Sequence, residues 1–325
     1  MKTTRRIVTV TALACAALVT TGTALAEFPD KPLKIIVPLP PGSPPDVLAR
    51  LLAEGVGRNW KQPVVVENRP GATGMVGLQA LARSAPDGYT VGVMFLTHTV
   101  LPELMGPLPY NTATDFAPIA NLVWLYNVLV VPENSSIRTV QDLVSQARAQ
   151  PTLLNYASGG NGSPAHLVAE SFCQASGIKM THVPYKGPAE AVTGLLGNQV
   201  NAMFATVPAA AGLSRAGKLR PIAVTSPQRL AALPGVPTLG ETGVQGVELK
   251  EWEGLVAPAG TPKAIVEKWN QELFKVLASP EVQAKLADFG MTVVPPNSGA
   301  EFGELIRKEL DQWGRFVRNT GLRPS

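Results

Sequence analysis

Ser163 and His166 stand three residues apart in the stretch N-Y-A-S-G-G-N-G-S-P-A-H-L, Asn155 to Leu167. A hydroxyl and an imidazole are the raw material of a nucleophile and its base. Residues three apart on a first helical turn, however, project from the helix rather than converging on a substrate carbonyl, and the chain has no G-x-S-x-G elbow. The same stretch suits a different chemistry. A strand-like run ends at Tyr156, a glycine-rich turn follows, and Ser163-Pro164 reads as N-cap and first residue of a helix. Free backbone N–H groups at a helix N-terminus, backed by the positive end of its dipole, hold an anion without any charged side chain. The guest would be a carboxylate or a phosphate. The plainer alternative is a tight connection between strand and helix.

The other residues that could do chemistry do not form a catalytic set. His98, His166 and His182 are spread along the chain without paired carboxylates or cysteines, which argues against a metal site, and no cofactor is called for. His182 suits a structural role, while His98 is expected to face a crevice. Asp46, three residues after Ser43, fits the N3 position of a capping box or a ligand contact. Arg69 either meets a ligand carboxylate or pairs with Glu67 or Asp87. Trp252 either packs at a hinge or lines the pocket.

The chain has 325 residues and opens with Met1-Lys-Thr-Thr-Arg-Arg6, an uncharged run from Ile7 to Thr20, and Ala24-Leu25-Ala26. A basic start, an apolar run and an A-x-A site predict a signal peptide over residues 1–26, cleaved after Ala26, and hence a periplasmic protein. The apolar run is shorter than the roughly 20 residues that span a bilayer. Loss of Lys2, Arg5 and Arg6 lowers the formal charge from +4 to +1. No basic block then remains to suggest nucleic acid or a membrane surface. Cys173 is left alone, so an exported chain of this kind is held by its core, without an internal disulfide.

The elements that must position these residues alternate. Strands are predicted at Leu33 to Leu39, Val64 to Glu67 and Thr90 to Phe95, with helices between them. An irregular, proline-dotted stretch is expected up to Phe116. The rhythm restarts after Leu125: helices at 139–149, 164–176 and 188–196 and strands at 181–184, 202–205 and 222–225. Residues 226–246 read as linker, and Trp252 to Ala257 as a return to the first unit before the closing helices. The organisation is therefore α/β and two-lobed, each lobe a mainly parallel sheet flanked by helices, with a ligand crevice at the carboxyl ends of the strands. Domain 1 is placed at 27–125 and 249–325, domain 2 at 126–248.

The motifs K-P-L-K-I-I-V-P-L-P-P-G (31–42), V-V-V-E-N-R-P-G-A-T-G (64–74), A-P-D-G-Y-T (85–90), N-Y-A-S-G-G-N-G-S (155–163), H-V-P-Y-K-G (182–187), L-P-G-V-P-T (233–238) and L-V-A-P-A-G-T-P (255–262) occur in this order. Over Phe28 to Gly321 the chain resembles the Bug family of extracytoplasmic solute receptors, the binding proteins of tripartite tricarboxylate transporters. The resemblance implies a Venus-flytrap periplasmic binding protein, not an enzyme, that closes on a small organic acid and delivers it to the membrane permease subunits of such a transporter, acting as a monomer. It implies ligand contacts from Pro41, Gly42 and Ser43, from Thr73, and from Thr97 and His98. From the second domain it implies Ser158, Asn161, Gly162, Ser163, Tyr185, Gly187, Ala205 and Thr206. Two positions depart from the family: Ser43-Pro44-Pro45 stands where glycines usually precede the Asp, and Ala205 stands where many members carry an Asp. The competing readings are an exported hydrolase on a similar scaffold, which the missing catalytic set disfavours, and a regulator's effector domain, which would need a DNA-binding helix-turn-helix.

Overall fold

The computed structural model describes residues 28–320 except Thr152, Glu248 and Leu249. The expected signal peptide and its cleavage site lie outside the described residues. The first elements are β1 (Leu33–Val37), α1 (Pro44–Trp60), β2 (Val64–Asn68), a 3-10 turn (Ala72–Gly74), α2 (Met75–Ala82), β3 (Thr90–Phe95), α3 (Thr97–Met105) and β4 (Phe116–Leu125). Next come β5 (Asn127–Pro132), α4 (Val140–Ala149), β6 (Asn155–Ser158), α5 (Pro164–Ser176), β7 (Thr181–Pro184), α6 (Pro188–Leu196), β8 (Ala202–Thr206), α7 (Val207–Arg215) and β9 (Leu219–Val224). The chain ends with β10 (Glu251–Pro258), α8 (Lys263–Leu277), α9 (Pro280–Asp288), β11 (Met291–Val293) and α10 (Gly299–Thr320).

Two sheets result. The first has the order β11-β4-β10-β3-β1-β2, the second β7-β6-β8-β5-β9. In the first, β1, β2 and β3 pair in parallel, whereas β10 runs antiparallel to β3 and β4. In the second, β6 is parallel to β7 and β8, and β5 is antiparallel to β8 and β9. Both sheets are thus mixed. The parallel strands are those followed by crossover helices, and the antiparallel ones join the lobes or return from the far side. Each lobe's sheet carries helices on both faces, which explains why β1 and β3 are almost wholly apolar and buried instead of alternating.

Two stretches differ from the sequence reading. Residues 97–105, expected to be irregular, form α3 despite Pro102 inside it, because Val100, Leu101 and Leu104 line one buried face and tertiary packing outweighs propensity. Residues 226–246, read as linker, are folded onto the second sheet. Leu233 and Val236 join one core cluster and Leu239 another, and Thr238 and Glu241 exchange a reciprocal cap, N to Oε2 at 2.7 Å and N to Oγ1 at 3.0 Å. The closing helix α10 lies over β4 and α3, placing Phe302 edge-on against Trp252 at 5.3 Å and Arg318 on Glu103 at 2.7 Å.

Candidate functional site

Parallel strands with crossover helices bring their carboxyl ends, and the N-termini of the helices that follow, to one edge of each sheet. In the second lobe β6, β7 and β8 hand over to α5, α6 and α7, each with proline at its first or second position: Pro164, Pro188 and Pro208. In the first lobe α1 starts with Pro44 and Pro45. Proline has no N–H to leave unpaired and fixes φ for helix entry. The positive ends of these helix dipoles therefore gather along the facing edges.

Three of these helix starts share one further device. The side chain at the third helical position accepts a hydrogen bond from the backbone N–H of the residue just before the N-cap. Asp46 Oδ2 takes the Gly42 amide at 2.9 Å, Glu190 Oε2 the Lys186 amide at 3.0 Å, and His166 Nδ1 the Gly162 amide at 3.0 Å. Ser43 and Ser163 occupy the N-cap positions but make no side-chain cap bond, contrary to the sequence reading. Ser43 Oγ instead donates to the Pro40 carbonyl at 2.7 Å. Asp46 is 2 % exposed and also receives Arg50 Nε at 2.9 Å and Asn68 Nδ2 at 2.8 Å. Burial works against its ionisation, but the bonds from Arg50, the Gly42 amide and Asn68 outweigh it and hold the carboxyl below the usual range. The Gly42 amide, expected to face an anion, is thereby engaged within its own turn.

The sequence-designated residues divide into those at the crevice and those behind it. Pro41, Gly42, Thr73 and Thr206 are exposed, and Ser43, Asn161, Ser163 and Gly187 partly so. Thr73 sits in a run of four residues with positive φ, Gly71 to Gly74, where two non-glycines, Ala72 at 44° and Thr73 at 55°, are strained. Thr97 Oγ1 and Ser163 Oγ, one hydroxyl from each lobe, are buried without a hydrogen-bond partner.

Four residues act behind this surface. His98 is fully buried, with Nδ1 at 3.1 Å from both the amide and the carbonyl of Phe95, and a β-carbon at Gly74 would lie 2.6 Å from its Nε2. It buttresses the strained turn, and burial drives its pKa down to about 3. Ser158 Oγ is consumed locally, taking the Gly160 amide at 3.1 Å, donating to the Gly160 carbonyl at 3.0 Å and meeting His182 Nε2 at 2.7 Å. Tyr185 turns its hydroxyl to Gln199 Oε1 at 3.2 Å, its ring packing on Gly194, so the main chain of Tyr185 and not its phenol borders the loop. The Ala205 methyl is buried in the second-lobe core beside Val128, Val207 and Ala210, and adds no surface to the crevice.

Arg69 pairs with Glu67, which Lys34 also meets at 2.6 Å. Trp252 is fully buried at the strand crossing. Sequence reasoning missed Leu104 of α3, which meets Gly162 across the crevice, and the acidic residues Glu251 and Glu253 on one face of β10. Asn127, whose strand partner is Thr206, donates to Glu251. Among the described residues no group of three or more His, Cys, Asp and Glu side chains could hold a metal ion.

The family model of the tripartite tricarboxylate transporter family receptor matches residues 48–322. The chain belongs to this receptor family. The protein BugT of Bordetella pertussis is 35 % identical over 301 residues, covering 91 % of each chain. Rpa4515 of Rhodopseudomonas palustris, in a structure with adipate, superposes with a TM-score of 0.83 at 31 % identity over 92 % of this chain and all of the other. MatC from the same organism, solved with bound malate, gives 0.78 at 29 % identity over 89 % and 100 %. The chain is accordingly a two-lobed solute-binding receptor and not an enzyme. A receptor of this family needs no nucleophile, and Ser163 and His166 are arranged accordingly: the imidazole accepts a backbone amide and the hydroxyl is left for something else.

Proposed function

We propose that this receptor is exported to the periplasm, captures a small organic acid as its anion between the two lobes and presents it to the membrane subunits of a tripartite tricarboxylate transporter. The observation that carries the reading is the pair of buried, unpartnered hydroxyls Thr97 Oγ1 and Ser163 Oγ on opposite lobes, set at the starts of α3 and α5. Hydroxyls and helix amides supply donors to a carboxylate and no acid-base pair. The adipate in the Rpa4515 structure and the malate bound to MatC support that ligand class. In this reading residues 27–125 with 249–325 and residues 126–248 close as two bodies, and Gly42, Ser43, Thr73, Thr97, Asn161, Gly162, Ser163, Gly187 and Thr206 border the ligand. Calorimetry of the mature chain against mono-, di- and tricarboxylates, adipate and malate included, tests it. One saturable site with the acid recovered intact is expected; no heat across the panel, or consumption of the acid, would sink it.

A further inference from the structure

Asp46, Glu190 and His166 do the same mechanical work, each tying back the amide that precedes its helix. Two of the three are carboxylates, and only the helix that follows the Gly159–Ser163 loop uses an imidazole. A carboxylate there would set a negative charge directly behind the amides meant to face an anion. Asp46 is compensated by Arg50 at 2.9 Å and Glu190 is exposed, where solvent screens its charge; His166 is buried, and no ion pair among the described residues touches it. We propose that His166 is the charge-selecting residue of the crevice, a neutral acceptor that shapes the Gly159–Ser163 loop while leaving its field positive, so that the loop accepts carboxylate anions.

The surroundings keep the ring neutral and in register. His166 is 2 % exposed and stacks on His182, ring centroids 3.8 Å apart and 9° from parallel, and Tyr156 stacks on His182 in turn at 5.0 Å. His182 Nε2 holds Ser158 Oγ, which holds Gly160, so the two imidazoles grip the loop at both ends. An Nδ1 that accepts the Gly162 amide carries no proton, leaving the proton on Nε2. Burial, and secondly the neighbouring His182, drive the His166 pKa down to about 3, and burial drives His182 to about 4. The other titratable groups around the stack are Tyr156, Glu170, which takes the Tyr156 hydroxyl, and Cys173. Both imidazoles are uncharged at neutral pH.

The test compares His166→Asn with His166→Asp. Both keep an acceptor near the Nδ1 position and differ in charge, as Asp46 shows that a carboxylate can serve at this helical position. Hydrogen exchange of the Gly162 amide reports the tie, and calorimetry with malate and adipate reports the selection. Both variants should keep Gly162 protected; His166→Asn should bind within a few-fold of wild type, whereas His166→Asp should lose roughly tenfold or more, from like-charge repulsion. Equal affinity of His166→Asp and wild type, or equal losses in both variants, overturns the proposal. The inference rests on the carboxylate reading: if wild type takes neither acid nor any other carboxylate, that reading fails and the selection falls with it, whereas wild-type binding with an unimpaired His166→Asp refutes the selection alone.

Discussion

Leu104 and Gly162 touch across the two lobes, so closely that a β-carbon at Gly162 would overlap the Leu104 side chain. A reciprocal contact lies at Val207 and Gly290, where a β-carbon on the glycine would sit 2.5 Å from Val207 Cγ2. Each lobe thus supplies one apolar knob and one glycine notch. The glycines hold φ of 73° and 70°, conformations that favour glycine in any case. These contacts fix how closely the lobes meet here.

Gly290→Ala is therefore expected to hinder closure and weaken carboxylate binding roughly tenfold or more, with Val207→Ala in the same chain restoring part of the loss. Calorimetry on the two single variants and the double variant measures the coupling. Strictly additive effects would mean that the contact does not govern closure.

Ser163 separates stability from binding. Replacing a working cap by alanine costs about 1 kcal/mol, but Ser163 Oγ makes no cap bond. Ser163→Ala should leave the melting temperature nearly unchanged while lowering affinity for a dicarboxylate. A clear loss of stability with unchanged affinity would reverse the assignment.

The order of strands and helices around the crevice was legible because glycine turns, prolines at helix starts and apolar runs are local signals. The glycine turn and α5 fall where those signals place them, while β6 runs to Ser158, two residues beyond the expected end at Tyr156. What stayed hidden depends on partners distant in sequence. His166 and His182 read as scattered, and only the parallel pairing of β6 with β7 brings them into a stack. Tyr185 lies in a family motif and Ala205 at a position the family uses for its ligand, yet the side chains point to Gln199 and into the core, because position in a family pattern does not fix which face of a strand end a side chain takes. Ser43 and Ser163 have the right sequence for caps, but the residue at the third helical position has already tied the turn.

The buried acids of β10 and the buried imidazoles should give stability opposite pH dependences. Burial, then the nearby Glu251, raises the Glu253 carboxyl well above its ordinary range, and burial, eased by Asn127, moves Glu251 up to about 7. A carboxyl whose folded pKa is raised holds a proton that the unfolded chain has released, so stability falls as pH rises from the ordinary carboxylate range through the folded pKa. His166 and His182, with lowered folded pKa values of about 3 and about 4, lose stability instead as pH falls below the ordinary imidazole value. Glu253→Gln should accordingly stabilise the chain more at about pH 8 than at about pH 5 in thermal scans. A gain that shrinks with rising pH would show that Glu253 is ionised in the fold.

The β1–α1 turn offers the last test, a contest between donor supply and rigidity. Pro44 and Pro45 remove two amides from the start of α1, and the remaining three are engaged within the turn: Gly42 by Asp46, Ser43 by the Pro40 carbonyl at 3.3 Å, and Asp46 by the Ser43 carbonyl at 3.0 Å. Asp46→Ala would release the Gly42 amide toward a ligand. It would also cut the tie to Asn68 at the end of β2, leave Arg50 without its carboxylate and cost about 1–3 kcal/mol of stability as a broken buried network. If donor supply limited this half of the crevice, affinity would rise despite the weaker fold. The geometry favours the opposite outcome. The Gly42 turn is held from three sides and Ser43 already spends its hydroxyl on Pro40, so an ordered wall, and not a set of free amides, is what α1 presents. Asp46→Ala should lower affinity for malate or adipate together with the melting temperature, and tighter binding by the destabilised variant would show that the amides were the limiting element.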